Sequence, residues 1–90
     1  MSKPRSTKQK ARTRFSPEYE ILLTRLIQAR HNAGVTQKEI GENIGKDQSH
    51  VSKCEHRERE ITIIDLWKWC EALGLSVGDF MHDFEKAVKR

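Results

Sequence analysis

Apolar residues recur at spacings of three and four along most of this chain, which is the period of an amphipathic helix. The first run holds Tyr19, Leu22, Leu23, Leu26, Ile27 and Ala33. A later one holds Ile63, Leu66, Trp67, Cys70 and Leu73, and the last holds Val77, Phe80, Met81, Phe84 and Val88. Each helical stretch is preceded by a short oxygen-bearing side chain, at Ser16, Thr36, Asp47, Thr62 and Ser76. Such a residue accepts hydrogen bonds from the unpaired N–H groups of a first helical turn. Pro17 stands at the first position of helix one, and Thr36 with Glu39 forms a capping box. Thr62 with Asp65 and Ser76 with Asp79 repeat the spacing with aspartate. Gly34, Gly45 and Gly74 mark stops. Only the short "ITII" segment admits a strand reading. The pattern predicts five helices joined by short loops, an all-α compact five-helix bundle.

The second and third helices are short. "TQKEIGENI" and the stretch opened by Asp47 are separated by a turn containing Gly45. Two short helices so joined meet at a steep angle, the helix-turn-helix arrangement. Gly41 sits inside helix two, where glycine costs about 1 kcal/mol relative to alanine, and this points to close backbone approach. Ile40, Ile44, Val51 and Cys54 supply the apolar seam.

Helix three, read as 47–57, is apolar only at Val51 and Cys54. At about 100° per residue, Val51, Cys54 and Glu55 share one side, while Gln48, Ser49, Ser52, Lys53 and His56 fall within roughly 140° on the other. Glutamine can pair bidentately with adenine, lysine can donate to guanine, and serine serves base or phosphate while letting the backbone come close. A DNA major groove asks for such a face. A merely solvated surface is the plainer reading of the same residues, and His50 is more readily a packed or solvent histidine than a base reader.

Composition narrows the setting. The chain has 90 residues, 36% hydrophobic and 33% charged, with a net charge of +4. Residues 1–14 hold Lys3, Arg5, Lys8, Lys10, Arg12 and Arg14 and no acid. The remaining 76 residues hold eleven basic against thirteen acidic side chains, so the excess positive charge belongs to the first fourteen. Residues 1–14 are expected to be a disordered basic arm, either a solubilising tail or a phosphate contact, and 15–90 the folded domain, with its helix-turn-helix core at 36–56. No apolar run is long enough for a membrane span and no signal peptide is evident, so the expected location is the cytoplasm. Cys54 and Cys70 show no metal-ligand spacing and read as core residues. His50, Cys54 and His56 lack a fourth ligand, so neither metal nor cofactor is expected.

In "GVTQKEIGENIGKDQSHVSKCEHRERE", Gly34, Thr36, Gln37, Gly41, Gly45, Gln48, Ser52 and Glu55 stand in a register that resembles the Cro/repressor-type, or Xre-like, helix-turn-helix family. "ITIIDLWKWCEALGLSVGDF" follows as its helices four and five. The resemblance implies the lambda-repressor-like fold and a DNA-binding regulator, in the first instance a repressor. It implies base contacts from Gln48, Ser49, Ser52 and Lys53. Gln37 would bind a phosphate and brace Gln48. Lys38 and Lys46 on one flank, and Arg57 and Arg59 on the other, would approach the phosphate backbone. Arg30 and Glu55 would form a structural ion pair. Three family positions differ here: the usual alanine is Gly41, the usual large apolar residue is Cys54, and the glycine that commonly follows helix three is absent from "EHRERE".

Phe80, Met81 and Phe84 are more apolar surface than a last helix this small needs, and suggest a homodimer seam. Two-fold assembly predicts a near-palindromic double-stranded DNA target with recognition helices about 34 Å apart. The alternative is an antitoxin or other interaction module that uses the fold to grip a protein partner. No nucleophile–base set, phosphate loop or carboxylate pair suggests an enzyme.

Overall fold

The computed structural model describes residues 15–90; the predicted basic arm, residues 1–14, lies outside the described residues. Five helices follow one another among these residues: α1 (Pro17–Ala33), α2 (Gln37–Ile44), α3 (Gln48–Glu55), α4 (Ile63–Ala72) and α5 (Val77–Lys89). No strand occurs among the described residues, so "ITII" resolves into an extended link and the first turn of α4. No helix there is long and apolar enough to cross a membrane.

The helix starts follow from local chemistry. Ser16, Thr36, Asp47, Thr62 and Ser76 each accept from a backbone N–H three residues on. At Thr36 the box is reciprocal, with the Thr36 N–H donating to Glu39 Oε1 at 2.9 Å. Each cap contributes about 1 kcal/mol, enough to fix where a two-turn helix begins.

The core is shared by all five helices. Leu26 of α1, Ile40 and Ile44 of α2, Val51 and Cys54 of α3, Leu66, Trp69 and Cys70 of α4, and Phe80 of α5 form one buried cluster. Trp69 is fully buried, whereas Trp67 is 45% exposed, because residues two apart on a helix cannot face the same way. Arg25 of α1 pairs with Asp83 of α5 across the outer surface.

Besides Trp67, two other positions of the apolar runs are exposed. Ile63, the first residue of α4, is 65% exposed although Asp65 and Leu66 in the same turn are buried. Ala33 is exposed in the last turn of α1, beyond the core cluster.

The turn after α3 has its own geometry. The Arg57 N–H donates to Cys54 O and the Glu58 N–H to Lys53 O at 2.8 Å, a Schellman closure. That closure needs a left-handed residue, and Arg57 supplies it with φ of 64°. The turn is as tight as a glycine would make it, but an arginine occupies the strained position.

Candidate nucleic-acid interface

Gly41 sets the α2–α3 pair. A Cβ there would lie 2.7 Å from Lys46 O and 3.1 Å from Asp47 O, both backbone atoms that cannot step aside cheaply. The turn into α3 therefore lies directly on α2, closer than alanine permits. Val51 and Cys54 are fully buried on the inner side of α3, and this turns the opposite side outward.

That outer side carries Gln48, Ser49, Lys53 and His56, all exposed, with Ser52 half-buried beside them. Ser52 Oγ lies 3.4 Å from His56 Nδ1, and the same ring nitrogen is 2.8 Å from Ser52 O. His56 thus closes the C-terminal end of α3.

A ladder of polar groups fixes the start of the face. Arg30 of α1 donates to Glu55 of α3 through Nε (2.6 Å to Oε2) and Nη2 (2.9 Å to Oε1), and through Nη1 to Val35 O at 3.0 Å. The pair is buried, with side chains 10% and 6% exposed, so its worth rests on its full set of hydrogen bonds. Glu55 Oε1 also accepts from Gln37 Nε2 at 3.0 Å. Gln37 Oε1 in turn accepts from Gln48 Nε2 at 3.4 Å, a long contact. Three helices thereby hold Gln48 at the head of α3.

Beside the face lies an open, polar cleft of about 320 Å³, lined by Lys46, Asp47, Ser49, His50, Lys53 and Arg59. Three cations around one cleft make a seat for an anion such as a phosphodiester. Lys38 is exposed on α2. Arg57 stands apart: its Nη2 lies 3.5 Å from Glu20 Oε2 on α1.

Three contributors carry little sequence signal. His50, by pattern a packed or solvent residue, lines the cleft and sets Nε2 3.5 Å from Asp65 Oδ2 of α4, too loose for a hydrogen bond. Asp65 is buried although its spacing reads as a helix cap. Tyr19 Oη accepts the Ile61 N–H at 3.1 Å, strapping the α3–α4 link to α1. A tyrosine at the first inward position of a helix, with a polar tip needing a partner, was the available clue.

The cysteines belong to the core. Burial pushes the Cys70 thiol up to about 11. Burial, and after it the charge of Asp65, raises that of Cys54. Neither is a thiolate at neutral pH, so neither offers a nucleophile or a soft ligand. Burial also raises the Tyr19 phenol, partly opposed by the Ile61 hydrogen bond.

Comparison with known proteins agrees with this geometry. The chain is similar to an XRE-family like protein from Pseudomonas syringae pv. tomato str. DC3000, at 36% identity over 78% of this chain and 85% of that one, with a TM-score of 0.74. It is also similar to the clp gene regulator ClgR from C. glutamicum, at 28% identity over 80% and 94% of the two chains, with a TM-score of 0.67. No curated protein sequence matches. A helix-turn-helix family model matches residues 26–80, which takes in the ladder, the cleft and the outer face of α3, and the chain belongs to that family, in its XRE-type branch.

Proposed function

We propose that this protein is a sequence-specific DNA-binding transcription regulator that inserts α3 into the major groove and represses by occupying the duplex. The observation that carries the reading is the outer face of α3: exposed short donors and acceptors, braced at Gln48 and flanked by a three-cation cleft. Gln48, Ser49, Ser52 and Lys53 read base edges. Gln37, Lys38, Lys46 and Arg59 fix register on phosphates, with Arg57 joining them if it leaves Glu20. The duplex is near-palindromic and bound by two copies, in the cytoplasm. The reading in which a heterologous protein is gripped instead draws on the apolar side chains left outside the core.

Selection of bound duplexes from a random pool tests the proposal. A defined motif with two related half-sites is expected. Gln48→Ala and Lys53→Ala relax base preference within it. Arg59→Ala weakens binding to all sequences and lowers the slope of log affinity against log salt by about 1. Recovery of no motif, or unchanged selection by the Gln48 and Lys53 variants, refutes base reading by α3.

A further inference from the structure

His56 stands on the outer face of α3 but has no part in the base reading set out above. At about 100° per residue it falls near the middle of that face, between Ser52 and Ser49, while Gln48 and Lys53 mark the two margins. The ring is exposed, and the residues flanking it on the face are small. The backbone beneath it is held. The His56 N–H donates to Ser52 O at 3.0 Å, and the turn closed by Glu58 on Lys53 O follows at once.

The hydrogen bonds of the ring fix its tautomer. Nδ1 lies 2.8 Å from Ser52 O. A carbonyl oxygen only accepts, so the proton sits on Nδ1. A neutral imidazole carries one N–H, and Nε2 is left as a bare acceptor. Among the described residues no hydrogen bond or ion pair takes that Nε2. His50 is the contrast on the same helix: its Nε2 is buried and turned to Asp65.

We infer that His56 is a further base-reading residue, and that it selects a base carrying an exocyclic amino group. The inference rests on the DNA reading above. Of the base edges in a major groove, only adenine N6 and cytosine N4 donate, whereas guanine and thymine offer acceptors. A bare ring nitrogen accepts from the first two and meets lone pairs on the others. It gives a phosphate nothing, because a phosphate oxygen needs a donor and the neutral ring has spent its own on Ser52. Gln48 and the two serines can donate or accept, and Lys53 only donates; His56 only accepts. It therefore adds a chemical distinction that the other four do not make.

The helix rise places the letter. Eight residues at about 1.5 Å each set His56 ~12 Å beyond Gln48 along α3, roughly three to four base pairs of duplex. With α3 lying along the groove, adenine or cytosine is expected at that distance from the base read by Gln48, on the strand nearest the ring.

The test uses the whole chain at pH 8, where an ordinary imidazole is neutral. Selection from a random pool should return such a letter, and His56→Lys, which can only donate, should invert it to guanine or thymine. Purine in place of that adenine, or 2-pyrimidinone in place of that cytosine, deletes the amino group alone. By fluorescence anisotropy the wild-type chain should lose about fivefold in affinity for the substituted duplex. His56→Ala should show no such loss, and Gln48→Ala should keep it. The wild-type comparison, with the same analogue placed outside the site as control, stands even if the variants fold poorly. An equal loss in His56→Ala, or no loss in the wild type, would overturn the inference. So would uniform weakening of His56→Ala on every sequence, the mark of a phosphate contact. A motif that depends on Gln48 and holds no letter dependent on His56 would overturn this inference alone, while recovery of no motif would refute the DNA reading beneath it.

Discussion

Removing one member of the Arg30–Glu55 pair should do two things that can be separated. The pair is buried, and Glu55 accepts three hydrogen bonds, two from Arg30 and one from Gln37. Glu55→Ala leaves the guanidinium buried without its counter-charge, at a cost of about 3–5 kcal/mol. A domain of this size holds about 4–11 kcal/mol in all, so a large part of its stability goes, and Tm falls by roughly 12 °C or more. The double variant Arg30→Met with Glu55→Leu removes both charges and should return to within about 2 kcal/mol of the parent. About 1 kcal/mol of that residue is the lost bond from Arg30 to Val35 O. Yet the double variant still takes from Gln37 the acceptor that positions it against Gln48. Its stability should therefore recover while its base preference at the position read by Gln48 does not, a loss within the ~1–3 kcal/mol that one good base contact confers. Urea unfolding followed by circular dichroism measures the first effect, and fluorescence anisotropy on matched and mismatched duplexes the second. A single-variant cost below about 1 kcal/mol, or a double variant no more stable than the worse single, would refute the account of the pair. Full recovery of base preference would refute the ladder as a positioning device.

Three further outcomes follow from local geometry. Gly41→Ala should gain about 1 kcal/mol of helix propensity but lose more, because the added methyl meets the backbone of Lys46 and Asp47; a net loss of about 1–2 kcal/mol is expected in thermal unfolding, and a gain would show that the α2–α3 turn can shift freely. Arg57→Val should destabilise by about 1 kcal/mol or more and Arg57→Gly should be neutral to slightly stabilising, since only the latter accepts a φ of 64° without strain; equal losses in both would mean that the Glu20 contact dominates. The Cys70 thiol ionises near 9 in the unfolded chain and about 11 in the fold, so the unfolded state loses its proton first. Stability should hold below pH 9 and fall by about 2–3 kcal/mol toward pH 11, and Cys70→Ala should flatten that slope in pH-stepped urea titrations.

Helix starts were legible in the sequence because capping is a contact between residues three apart, complete before any tertiary structure exists. The inner face of α3 was legible for the same reason: Val51 and Cys54 are the only apolar residues in it, and both are fully buried. A three-to-four spacing counts Ile63 with Leu66 and Cys70, and the spacing cannot say that the first residue of α4 is exposed while Asp65 and Leu66 in the same turn are buried. The turn at Arg57 was illegible because an arginine gives no local reason for a left-handed backbone. That conformation closes α3, and a separate strap from Tyr19, 42 residues back, holds the link that follows. His50 and Asp65 are fifteen residues apart, and no periodic pattern brings them together.

The outer face of α3 is not uniform in how firmly it is held. Gln48 is clamped by Gln37, whereas among the described residues no hydrogen bond ties the Ser49 or Lys53 side chain to another, and the Ser52 hydroxyl meets only His56 on its own helix. Exchange at 49 or 53 disturbs no internal bond, while exchange at 48 breaks a chain that runs back to α1. If α3 reads bases as proposed, new target preferences are cheap to acquire at the loose positions, and the tethered glutamine is the letter that a drifting lineage would rewrite last.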